Sequence, residues 1–114
     1  MKNIVFIITD ANRQTLHVGM SSDLIKTMNF YRQMPSLLFD NGKKLSNLVY
    51  FEEFSSEVTA QRRFKELNVF TRPQKEKLIR EVNNNWLDLT MALTYERTMQ
   101  QNFKSIAPIF TYAS

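Results

Sequence analysis

The chain holds a single histidine, His17, and no cysteine. An imidazole can serve as a general base near neutral pH, which makes His17 the first candidate for chemistry. It lies within Thr15-Leu16-His17-Val18-Gly19-Met20, a run that reads as a strand. The plainer reading is a half-buried, hydrogen-bonded strand ring. The sequence favours it, since a base acting alone supplies only about 10²–10⁴-fold in rate. Without cysteine, disulfides, thiolate zinc sites and cysteine nucleophiles are excluded. The nearest carboxylate cluster is Glu52, Glu53 and Glu57. Glu52 and Glu53 are consecutive in a predicted strand and so face opposite sides of it. They are expected to be surface charge, and no metal site is assigned.

The second chemical signal is cationic. The formal net charge is +4, and the excess is concentrated. Arg62, Arg63, Lys65, Arg72, Lys75, Lys77 and Arg80 face only Glu66 and Glu76 between Gln61 and Arg80. Such a patch can attract phosphate backbones by long-range steering and counterion release. A solvated helical face accounts for the same residues. If nucleic acid binds, Arg62, Arg63, Lys65, Lys75 and Lys77 are the residues expected to hold it.

The elements that position these groups follow from periodicity. Ile4 to Thr9 is a continuous β-branched and aromatic run, the pattern of a buried strand. Polar Asp10 to Gln14 joins it to the His17 strand as an antiparallel hairpin. Ser21-Ser22-Asp23 offers capping oxygens to a helix carrying Leu24, Met28 and Tyr31. That helix should stop at Met34, because Pro35 disfavours α geometry before it. A loop to Ser46 leads into a third strand, Leu48 to Phe54. Ser55 or Ser56 caps a second helix. Thr71, Pro73 and Gln74 announce a third, running to about Val82. Asn83-Asn84-Asn85 breaks it, and Trp86 to Leu89 forms a short turn.

The class is therefore α+β: a small three-stranded antiparallel sheet flanked by helices in the order ββαβαα, plus a C-terminal helical extension. One domain is expected at 114 residues, with 43% hydrophobic and 23% charged residues typical of a globular chain. Residues 1–89 form it. In residues 90–114, Met91, Tyr95, Met99 and Phe103 fall four apart and predict an amphipathic helix. That stripe would cover the domain itself or mediate a homodimer. The apolar run Ile4 to Ile8 is too short for a bilayer span or a signal-peptide core, so a cytoplasmic protein with no membrane partner is expected.

Several segments carry a resemblance. Leu16-His17-Val18-Gly19, Ser21-Ser22-Asp23-Leu24, Leu48-Val49-Tyr50-Phe51-Glu52-Glu53-Phe54 and Asn83-Asn84-Asn85-Trp86-Leu87-Asp88-Leu89 occur in one order on the predicted elements. In that order they resemble the GIY-YIG nuclease superfamily, over roughly residues 3 to 89. The likeness is greatest to its small stand-alone bacterial members, related to the nuclease domain of the excision-repair incision subunit. The resemblance implies metal-dependent phosphodiester cleavage by two tyrosines, a helix-one arginine, a helix-two glutamate and a supporting asparagine.

This chain departs from that set. The family-equivalent positions hold Phe6, His17, Thr27 and Phe64, and only Asn83 keeps the family's polar residue. A benzyl group offers no oxygen to a hard cation, and a threonine cannot replace a guanidinium on phosphate. Phe64 shares a helical face with Ala60 and Leu67 and is expected to fill the former metal pocket. The expected function is a catalytically degenerate endonuclease-like domain, able to bind DNA or other nucleic acid without base specificity. One alternative is an active endonuclease using His17, with Mg²⁺ or Mn²⁺ its only expected cofactor. Another is a protein-interaction domain with no nucleic-acid role.

Overall fold

The computed structural model describes residues 3–33 and 45–93 of the chain. Its sheet comprises β1 (Asn3–Thr9), β2 (Leu16–Ser21) and β3 (Asn47–Phe54). The helices are α1 (Leu24–Gln33), α2 (Glu57–Asn68) and α3 (Arg72–Val82). The strand order is β2-β1-β3, with both neighbours antiparallel to β1. The α+β class and the three-stranded antiparallel sheet stand as the sequence implies.

β1 is central and buried on both faces, which is why its sequence is continuously apolar rather than alternating. Ile4, Phe6 and Ile8 point to one layer with Leu24 and Met28 of α1. Val5 and Ile7 point to the other, with Ala60 and Leu67 of α2 and Ile79 of α3. A bulge interrupts the β1–β3 register: Ile7 pairs with Tyr50 and Ile8 with Leu48, leaving Val49 over. Val49 and Tyr50 consequently lie in the same layer, and Leu48 in the opposite one.

Local chemistry fixes the joints. Asp10 Oδ1 accepts from the Gln14 and Thr15 amides at 2.8 and 3.0 Å and so shapes the β1–β2 loop. Ser56 is the N-cap of α2, accepting from Thr59 N. Thr71 and Gln74 close a full capping box on α3. At the far end, Asp88 accepts from Leu48 N at 3.2 Å and pairs with Arg32 Nη2 at 2.6 Å. It thereby ties α1 to the start of β3.

Thr90–Leu93 opens a helical turn. Leu93 enters the α1-side core, whereas Met91, the first of the predicted stripe, is 78% exposed. Tyr95, Met99 and Phe103 lie outside the described residues. Among the described residues, no helix is long and apolar enough to cross a membrane.

Candidate functional site

Strand pairing brings Phe6 and His17 to the side of the sheet that α1 covers, where Thr27 of α1 lies. Phe6 pairs with Gly19, and its ring lies directly over that glycine. A Cβ at Gly19 would sit 2.4 Å from Phe6 Cζ, so only glycine leaves room for the ring. The edge of Tyr31 meets Phe6, with ring centroids 6.3 Å apart and planes at 71°. His17 Nε2 shares a hydrogen bond with Tyr31 Oη at 3.1 Å. Thr27 Oγ1 is 2.6 Å from Ser21 Oγ, which also accepts from Asp23 N at 2.9 Å.

These pairs are neutral. Burial, and behind it the charge of Lys75, hold His17 below the ordinary imidazole value. Burial raises the Tyr31 phenol above its own. The imidazole is therefore unprotonated at neutral pH, and the phenol keeps its proton. The α1 face thus presents rings and hydroxyls already bonded to one another.

Phe64 and Asn83 belong elsewhere. Phe64 is partly buried and packs on the opposite layer, the cluster holding Ala60, Leu67, Val5 and Val18. Asn83 is buried, and its amide is engaged on both sides. Its Nδ2 donates to Val49 O at 3.1 Å and Leu87 O at 2.8 Å, while Oδ1 accepts from Leu87 N at 2.9 Å. It satisfies the carbonyl freed at the bulge and fixes the turn after α3.

The carboxylates correct the sequence expectation. Glu52 is not surface charge: it is 7% exposed and bound by the Arg63 guanidinium, with Nε at 3.0 Å from Oε2 and Nη2 at 3.0 Å from Oε1. Its place on β3 two residues from Tyr50 puts both on the helix-covered face. Tyr50 donates its hydroxyl to the same carboxylate. Burial, reinforced by Glu52, raises the Tyr50 phenol well above its usual range. Arg63 is correspondingly withdrawn from the set of free cations. It bridges Glu52 to Glu66 and lies 5.9 Å from the Phe70 ring. Among the described residues, no three His, Asp or Glu side chains gather where they could hold a metal ion.

The remaining basic candidates differ. Arg62, Lys65 and Lys77 are exposed and Lys75 is half-buried. Among the described residues, none of these four side chains has a hydrogen bond or ion pair. By contrast Arg72 pairs with Glu76 at 2.9 Å and donates to Gln14 O at 2.8 Å and to Arg13 O. Arg80 approaches Glu76 at 4.0 Å.

Sequence reasoning missed the Tyr50–Glu52–Arg63 network, the Arg32–Asp88 lock and the attachment of the hairpin tip by Arg72. The first had a weak signal, two hydrogen-bonding residues at strand spacing in an otherwise apolar run. The others join segments 56 or more residues apart, and no local period records such pairings.

Compared with known proteins, the chain is similar in fold to a UPF0213 protein from Bacillus halodurans, solved by solution NMR. The match covers 79% of this chain and 95% of that one, with 18% sequence identity and a TM-score of 0.49. No family model matches the chain, and no curated protein does.

Proposed function

We propose that the chain is a catalytically degenerate GIY-YIG-like domain that binds nucleic-acid backbones without base specificity through cations carried on α2 and α3. The observation that carries this reading is the contrast among its cations. Among the described residues, Arg63, Arg72 and Arg80 are held by carboxylates, whereas Arg62, Lys65, Lys75 and Lys77 are not. Cations without internal partners are available to displace counterions from phosphates. The family-equivalent positions support the degenerate half of the reading. Phe6, Thr27 and Asn83 are engaged in packing or in hydrogen bonds, and Phe64 supplies carbon where a cation would need oxygen.

One observation favours the competing enzyme: His17 is neutral and bonded to a phenol, a pairing that could accept a proton. Among the described residues, its side-chain hydrogen bond is to Tyr31 and not to a guanidinium or a carboxylate. Incubating labelled DNA with the protein and Mg²⁺ or Mn²⁺ separates the two readings. Retained binding without cleavage is expected. Cleavage that disappears in His17→Ala establishes the enzyme instead, and absence of binding at low salt removes the nucleic-acid role.

A further inference from the structure

Among the described residues, only two non-glycine residues have positive φ: Arg13 at 57° and Trp86 at 55°. They touch each other. The Arg13 guanidinium lies 5.3 Å from the Trp86 ring centroid, and Nη2 donates to Asn85 O at 3.2 Å. Both segments use the same local design. A turn is closed by the N–H of the positive-φ residue itself, Arg13 N to Asp10 O and Trp86 N to Asn83 O, each at 3.0 Å. Left-handed geometry suits glycine or asparagine, and bulky side chains rarely adopt it. Asparagines are at hand, Asn12 and Asn85 immediately before these positions, yet the chain places an arginine and its sole tryptophan there. Strained backbone of this kind concentrates at sites where a side chain must be presented.

What is presented is a cation–π pair, a guanidinium over an indole. Trp86 is partly buried and packs on the core beneath α2 and α3, which fixes it. Arg13 is exposed and covers it. A guanidinium is planar, so one lying over an aromatic ring can offer its outer surface to a further π-system. Nucleobases stack on arginine planes and on aromatic rings alike. The stack adjoins the basic helices, since Arg72 at the start of α3 donates to Gln14 O and Arg13 O in the same loop. Exposed Asn84 and Asn85 flank it with polar groups.

We infer that Arg13 and Trp86 form a base-stacking platform that takes one unpaired base of a single-stranded nucleic acid whose backbone runs onto the cations of α2 and α3. This rests on the nucleic-acid reading above and adds a preference for single strands, because a duplex keeps its bases stacked on each other.

The sole tryptophan is its own reporter. The full chain is titrated at low salt with oligothymidylate and with a blunt duplex of equal length. Trp86 emission is recorded together with the anisotropy of labelled strands. The platform predicts saturable quenching by oligothymidylate and little by duplex. It also predicts a loss of about 5- to 150-fold in single-strand affinity in Trp86→Ala, the range for losing one stacked base. Arg13→Lys keeps the charge and discards the plane, and it tests the platform even if Trp86→Ala fails to fold. Its single-strand affinity should fall several-fold while its duplex affinity holds. Oligothymidylate that binds without quenching, and equally well in Arg13→Lys, overturns the platform and leaves the basic face standing. Failure of both nucleic acids to bind overturns the platform and the underlying reading together.

Discussion

The two faces of the sheet have been settled by opposite chemistry. Under α1, the polar side chains at the positions that the resemblance marks as catalytic, His17 and Thr27, are neutral and bonded to a neighbour. Phe6 fills the space over Gly19, His17 meets Tyr31, and Thr27 meets Ser21. Over α2 and α3, charge is plentiful and divided between cations bound to Glu52, Glu66 and Glu76 and cations that pair with no carboxylate among the described residues. Internally satisfied groups contribute stability, and unsatisfied surface charge is free to meet a partner. Substitutions of the bonded groups on either face should therefore change folding, and those of the cations without a carboxylate partner should change binding.

The largest effect belongs to Phe6. Phe6→Ala should cost about 3–5 kcal/mol, read as the shift in urea midpoint. Gly19→Ala overpacks the same spot and should cost about 1–3 kcal/mol. Because the two residues touch, Phe6→Leu should reduce the penalty of Gly19→Ala, and strict additivity would break the packing explanation.

Next comes the buried network beneath α2. Glu52→Gln keeps the shape but removes the negative charge that pairs with Arg63, and a loss of about 1–3 kcal/mol is expected. An unchanged midpoint would mean that Arg63 finds Glu66 sufficient.

A smaller effect follows pH. The His17 pKa is lowered in the folded chain, so the unfolded chain takes up a proton that the folded one resists. The contribution of His17 is full above its unfolded value, near 6.5, and is lost as pH falls from there toward the lower folded value. Midpoints measured at pH 7.5 and 5.5 should differ more for the native chain than for His17→Gln. Equal differences would show that the ring is solvated.

Much of the fold was legible in the sequence. The unbroken apolar run of β1 marked a strand covered on both faces, and Ser56 and the Thr71–Gln74 box marked where α2 and α3 begin. Local periodicity and capping carry such information because their partners are three or four residues away. The site was legible only in part. Glu52 looked like surface charge because strand alternation shows which side a residue faces but not whether a helix covers that side. Arg63 looked like a phosphate ligand because its charge is visible in the sequence and its partner, 11 residues earlier, is not. The Arg13–Trp86 contact had no signal, since it joins two turns whose proximity exists only after folding.

The smallest stability effect accompanies the largest binding effect. Replacing Arg62, Lys65, Lys75 and Lys77 with glutamine should move the urea midpoint by no more than about 0.5 kcal/mol in equivalent stability. Anisotropy of a labelled 20-bp duplex, taken through a salt series for the native chain and this variant, is the most direct measurement. Four phosphate-neutralising cations predict a log–log slope of about −3.5 for the native chain, collapsing toward zero in the variant. A native affinity independent of ionic strength, or a slope unchanged by the four substitutions, contradicts nucleic-acid binding through this face.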